Sequence, residues 1–201
     1  MRTTALLAAT LLAGAPARAQ APLTVGTATA RPGETASGVI NVPDGADRGT
    51  EVPVSVVNGV KPGPVLALVA GTHGYEYTSI VALPRVLAKL DPKRIAGALI
   101  LVHLANPPAF YERRIYRNVD GKNLNRVYPG QAGGTQTYRI AFAITREVID
   151  QATHLVDMHC GDGNESLWRY SYWQITGDPK MDAAGKEMAL AFGLDHIVID
   201  R

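Results

Sequence analysis

The apolar positions of the chain change period along its length, and each change predicts a different element. Over 24–42 and 50–59, "TVGTATARPGETASGVINV" and "TEVPVSVVNG", β-branched residues lie between turns rich in Pro, Gly and Asp. That pattern predicts extended segments that pair as antiparallel or edge strands. From 64 to 70 the run "PVLALVA" is apolar throughout and bounded by Gly63 and Gly71, as expected of a strand buried on both faces. Helix-compatible sequence follows from about Glu76 to Leu90, with Pro84 expected to kink it. A second buried strand is predicted over 97–105, then a long irregular stretch over 106–134. Ile140, Ile144 and Val148 recur every four residues and mark one face of a helix from about Thr137 to Ala152. A short strand over 154–159, a helix over 179–192 and a last strand over 196–199 complete the pattern. Strands alternating with helices predict an α/β fold: a mixed, largely parallel central sheet flanked by helices.

Composition adds compartment and size. With 201 residues and 46% hydrophobic content, the chain can bury one sizeable core. Residues 1–19 read as a secretory signal peptide: Arg2, an apolar run through Leu12, and Ala17-Arg18-Ala19 as a small-x-small cleavage site before Gln20. The expectation is an exported protein, periplasmic or secreted, with an N-terminal β segment over 20–60 and the main α/β domain over 61–201. No later segment is long and apolar enough to predict a membrane span. The formal charge of +2 includes Arg2 and Arg18, so the mature chain is near neutral and has no basic surplus for nucleic acid. A lone cysteine, Cys160, excludes an intramolecular disulfide framework.

The candidate chemistry sits at the ends of the predicted strands, the edge where open α/β sheets bind ligands. His73 and Glu76 follow the first buried strand, Asn106 the second, and His159 ends the third, two residues after Asp157. Two imidazoles and a carboxylate give zinc three ligands and leave a position open, which suits a catalytic rather than a structural ion. Such an ion lowers the pKa of a bound water to roughly 7. The competing reading of His73-x-x-Glu76 is a polar turn with Glu76 beginning a helix. His103 and His154 are expected to be structural, and His196 has no polar partner in the local sequence. Asp157 is expected to orient a ligating histidine.

Three motifs, "GTHGYE", "DGKNLNRVYPG" and "VDMHCGDGNES", occur in the order that characterises the succinylglutamate desuccinylase and aspartoacylase family, relatives of the zinc carboxypeptidases. The chain resembles that family from about residue 35 to its end. The resemblance implies one zinc ion per chain held by His73, Glu76 and His159, and a carboxylate-binding pair at Asn125 and Arg126. A guanidinium fork beside an amide is chemically suited to that task. It also implies an arginine that stabilises an oxyanion. Arg113, Arg114 and Arg117 are the candidates, and Arg113, just ahead of the Ile-Tyr pair, is favoured. Glu165 follows the third motif and is a candidate for polar contact with substrate. Tyr170, Tyr172, Trp168 and Trp173 could line a pocket or belong to the core.

The expected substrate is a small molecule or peptide-like compound bearing a carboxylate, cleaved at an amide bond. The family pattern also calls for a general-base glutamate on a later strand. None in a matching context follows His159, so the base is expected beyond residue 201, in a part of the domain that this sequence lacks. The alternative reading is a non-catalytic metal- or carboxylate-binding protein. A thiol hydrolase using Cys160 is disfavoured, because adjacent strand residues point to opposite faces and no G-x-S-x-G elbow is present.

Overall fold

The structure, a computed structural model, describes residues 20–116 and 119–201. The leader, 1–19, and Arg117 therefore lie outside the described residues. The chain forms two compact units, one ending at His159 and the other running from Cys160 to Arg201.

The first unit is built on a five-stranded sheet. A short hairpin, β1 (Leu23–Val25) with β2 (Ala28–Ala30), precedes it. The sheet strands are β3 (Glu34–Val42), β4 (Thr50–Asn58), β5 (Lys61–Ala70), β6 (Ala96–Val102) and β7 (His154–Met158), in the spatial order β3-β4-β6-β5-β7. β5 pairs in parallel with both β6 and β7, whereas β4 pairs antiparallel with β3 and β6. Four strands thus share one direction and β4 opposes them: a mixed sheet.

The alternation of side chains explains why the central strands read as continuous apolar runs. Ala67 and Val69 of β5, with Ile100 and Val102 of β6, pack into one cluster together with Ile140, Ile144 and Val148. Leu68, Ala70, Leu99 and Leu101 point the other way, into a second cluster with Leu83 and Leu87. Leu83 and Leu87 belong to α1 (Tyr77–Leu87); Ile140 and Ile144 belong to α3 (Gln136–Glu147). One helix therefore covers each face. Pro84 lies inside α1.

Several boundaries differ from the sequence reading for identifiable reasons. β6 stops at Val102 rather than 105. At the next position His103 N–H donates to Pro53 O (3.0 Å), but Pro53 has no N–H to return, so the antiparallel ladder with β4 ends. The stretch 106–134 is not structureless: it contains the short helix α2 (Pro107–Tyr111), capped by Asn106, and a 3-10 turn over Leu124–Arg126. α3 gives way to a 3-10 turn over Ile149–Gln151.

The second unit holds β8 (Ser171–Gln174), α4 (Pro179–Ala191) and β9 (Ile197–Asp200), with β8 and β9 parallel. β8 escaped the sequence reading because its adjacent Tyr172 and Trp173 hide the two-residue alternation. No helix among the described residues is long and apolar enough to cross a membrane.

Candidate metal centre

β5, β6 and β7 are mutually parallel, so their C-terminal ends fall on one edge of the sheet. The chain there is sewn together by backbone bonds: Ala105 N–H donates to Ala70 O (2.8 Å) and Asn106 N–H to Gly71 O (2.9 Å). Gly71 has a φ of +71°, a conformation that glycine adopts without the steric penalty of a side chain. Gly74 meets α2 so closely that a Cβ would lie 2.1 Å from Ala109 C. The two glycines of "GTHG" let the turn fold sharply and lie against α2. His73 is presented between them.

His73, Glu76 and His159 converge, with one ligand atom from each lying within 4.8 Å of the others. Glu76 occupies the N-cap position of α1, yet its side chain makes no capping hydrogen bond. Its buried carboxylate instead faces both imidazoles, Oε1 at 2.7 Å from His73 Nδ1 and Oε2 at 2.8 Å from His159 Nδ1. The far ring nitrogens face oxygens as well. His73 Nε2 lies 3.1 Å from Asn123 Oδ1, and His159 Nε2 lies 3.0 Å from Asp157 Oδ2. Asn125 N–H donates to the same Asn123 oxygen at 2.9 Å. Thr72 Oγ1 donates to Asp157 Oδ1 (3.0 Å) and so ties the His73 turn to β7.

This arrangement demands positive charge. A neutral imidazole has one N–H and can donate to only one of the two carboxylate oxygens that flank the His159 ring. Burial alone would lower the pKa of His159, but the carboxylates of Asp157 and Glu76 outweigh it and raise it to about 10. Burial alone would raise that of Glu76, but the two imidazoles prevail and hold it at about 2. A cation held by His73, Glu76 and His159 would meet the same demand, with the outer ring nitrogens supported by Asn123 and Asp157. That is the usual outer support of a metal-bound histidine. The donor set therefore fits a divalent metal such as zinc.

The other singled-out residues are placed as follows. Arg126 is exposed, and its guanidinium donates to the carbonyl of Asn125 (3.0 Å), the residue whose N–H donates to Asn123 Oδ1 beside His73. Arg113 and Arg114 are exposed in the turn after α2, Arg113 with a φ of +54°. Glu165, in the second unit, accepts from Asp162 N–H of its own loop at 3.2 Å. Trp168 is exposed and donates through Nε1 to His196 Nδ1 (2.8 Å), so His196 has a partner that the sequence did not suggest. Trp173 Nε1 donates to Asp182 O (2.9 Å). His103 bonds Ser55 Oγ at 2.8 Å and His154 bonds Thr153 Oγ1 at 2.8 Å, local structural contacts in both cases. Sequence reasoning missed Asn123 and Thr72. Both lie inside the quoted motifs, where a short polar residue next to a ligand or a substrate-binding pair was the available signal.

The model of the succinylglutamate desuccinylase/aspartoacylase catalytic domain matches residues 62–200. An N-alpha-acetyl-L-2,4-diaminobutyric acid deacetylase from Halomonas elongata is 31% identical over 148 residues, 74% of this chain and 43% of that protein. Among solved structures, a succinylglutamate desuccinylase/aspartoacylase from Rhodobacter sphaeroides superposes with a TM-score of 0.76 at 28% identity, covering 84% of this chain and 52% of the other. The product-bound ectoine utilization protein EutE (DoeB) from Ruegeria pomeroyi gives 0.75 at 27% identity, covering 90% and 56%. The chain thus spans about half the length of these relatives.

Proposed function

The chain belongs to the succinylglutamate desuccinylase/aspartoacylase family, and on that premise we propose that it serves a zinc-dependent hydrolase that cleaves the amide bond of a small acyl-amino acid or peptide-like carboxylate. The observation that carries this reading is the His73–Glu76–His159 cluster, whose donors converge and whose outer ring nitrogens are already held by Asn123 and Asp157. When bound, zinc supplies a Lewis acid and a water of lowered pKa. The protein's own groups supply the rest. Asn125 and Arg126 hold the substrate carboxylate, and an arginine from the 113–117 segment stabilises the developing oxyanion. The deacetylase relative is named for an N-acetylated diamino acid, which supports an N-acyl amino acid as the substrate class. The leader directs the protein out of the cytoplasm, where scavenged acyl-amino acids or peptides are the available substrates.

The experiment is elemental analysis of the purified chain beside His159→Ala, together with turnover of a panel of N-acyl amino acids. About one zinc per chain, lost in the variant, is the expected result for this chain; hydrolysis of at least one N-acyl amino acid is expected of a form that also carries the general base. Separate alanine variants of Arg113, Arg114 and Arg117 then identify the oxyanion group, by a loss of about 100- to 1,000-fold in kcat. A metal-free, folded wild type would overturn the ligand set. Zinc without turnover in a form that carries the general base would favour a binding role.

A further inference from the structure

The first turn of α3 leaves N–H groups without partners inside the helix, as any helix does. Thr135, at its N-cap, makes no capping bond with its own side chain. Two acids from distant loops serve instead. Asp47 Oδ2 accepts from Gln136 N–H (3.1 Å), and Asp120 Oδ2 accepts from Thr137 N–H (3.2 Å). Asp120 does more than cap. Its Oδ2 also accepts from Thr135 Oγ1 (2.7 Å), while its Oδ1 accepts from Thr137 Oγ1 (2.9 Å) and from Lys122 N–H (3.1 Å). Burial alone would raise the Asp120 pKa; the surrounding donors outweigh it and keep the carboxylate ionised below its usual range.

The chain that leaves Asp120 is the candidate substrate-binding segment. Gly121 turns it with a φ of +63°. Leu124 is fully buried in the cluster that contains Ile140 and Ile144 of α3. Between these anchors stands Asn123, whose Oδ1 takes Asn125 N–H and faces His73 Nε2. Asp120 and Leu124 therefore fix the two ends of the stretch that meets the metal centre.

We propose that Asp120 is a positioning residue: by joining the "DGKNLNR" loop to the first turn of α3, it sets where Asn123 meets His73 and where Asn125 and Arg126 are offered to a substrate carboxylate. The assignment of Asn125 and Arg126 to substrate rests on the function proposed above; the pinning of the loop does not.

The test is amide hydrogen exchange on the full chain, comparing wild type with Asp120→Asn, Asp120→Ala and Thr137→Val, with KM and kcat for a hydrolysed N-acyl amino acid measured alongside. Loss of charge-assisted bonds predicts that protection of the Asn125 amide falls about tenfold or more in both Asp120 variants, and less in Thr137→Val. The Leu101 and Val102 amides of the central strand should stay within about twofold. In a form that carries the general base, KM should rise about tenfold with kcat little changed. Unchanged protection at Asn125 would overturn the proposal. So would a loss spread equally over Leu101 and Val102, since the carboxylate would then hold the fold and not the loop. If Asp120→Ala does not fold, the isosteric Asp120→Asn and the Thr137→Val variant decide by the same readout. A wild type that binds no zinc would count against the proposed function, while the exchange data would still decide the role of Asp120.

Discussion

His159 and His103 each follow a strand of the same sheet and sit in opposite electrostatic settings. His159, just past β7, has carboxylates on both ring nitrogens, and their charge raises its pKa to about 10 against the opposing effect of partial desolvation. His103, just past β6, has the hydroxyl of Ser55 on Nε2 and no partner on Nδ1 among the described residues; burial lowers its pKa. One environment asks for a cation and the other excludes one. The comparison shows that a strand-end histidine becomes a candidate ligand through the acceptors that surround it, and that burial alone does not make it one.

The sharpest way to break this comparison is to remove each ring. His159→Ala should lose more than a hundredfold in zinc affinity, whereas His103→Ala should keep its zinc, as read by competition with a chromophoric chelator. Equal losses would show that the difference in setting has no bearing on metal binding. The next effect in size concerns the outer partners. Asn123→Ala and Asp157→Ala should each weaken zinc by roughly 10- to 100-fold, the usual cost of losing the group that orients a ligating histidine. An unchanged affinity in Asn123→Ala would mean that the 3.1 Å contact with His73 does not orient that ring.

What the sequence made legible follows the same division. The apolar runs over 64–70 and 97–105 identified the two central strands, because strands buried on both faces leave an unbroken apolar signature. The spacing of Ile140 and Ile144 identified α3. His73, Glu76 and His159 could be named because each stands directly beyond or near a strand end in a short motif. The partners of those groups were not legible. Asn123 reaches His73 from 50 positions away, and Asp120 reaches Thr135 and Thr137 across a turn. Such contacts depend on how a loop without periodicity folds back, and no local pattern encodes it. β8 was hidden for a different reason: two adjacent aromatic residues mask the alternation that marks a strand.

A smaller effect separates the two histidines by the sign of their pH dependence in the metal-free chain. The raised pKa of His159 adds stability that is fully present below its unfolded value of about 6.5. That contribution is lost as the pH rises through about 10. The depressed pKa of Glu76 adds stability above its ordinary value of 4.5 and loses it as the pH falls through about 2. His103 behaves oppositely to His159: its lowered pKa makes the fold less stable as the pH falls from about 6.5 towards its native value. Urea denaturation between pH 4 and 10 should therefore show that His159→Gln removes stability mainly on the acidic side of this range. His103→Gln should flatten the acid loss below neutrality. The same slope in both variants would contradict the assigned environments.

The smallest expected effect tests whether the His103 contact is merely local. Ser55 is buried, and its hydroxyl bridges Ser37 Oγ and His103 Nε2, both at 2.8 Å. Ser55→Ala leaves the half-buried His103 Nε2 without its partner, which should cost about 1 kcal/mol of stability. Zinc affinity should stay within about twofold, because neither Ser55 nor His103 contacts His73, Glu76 or His159 in the bonds that hold the centre. A fall in zinc affinity without a fall in stability would reverse the assignment, placing His103 in the support of the metal centre and leaving the stability of β4 to its backbone ladder.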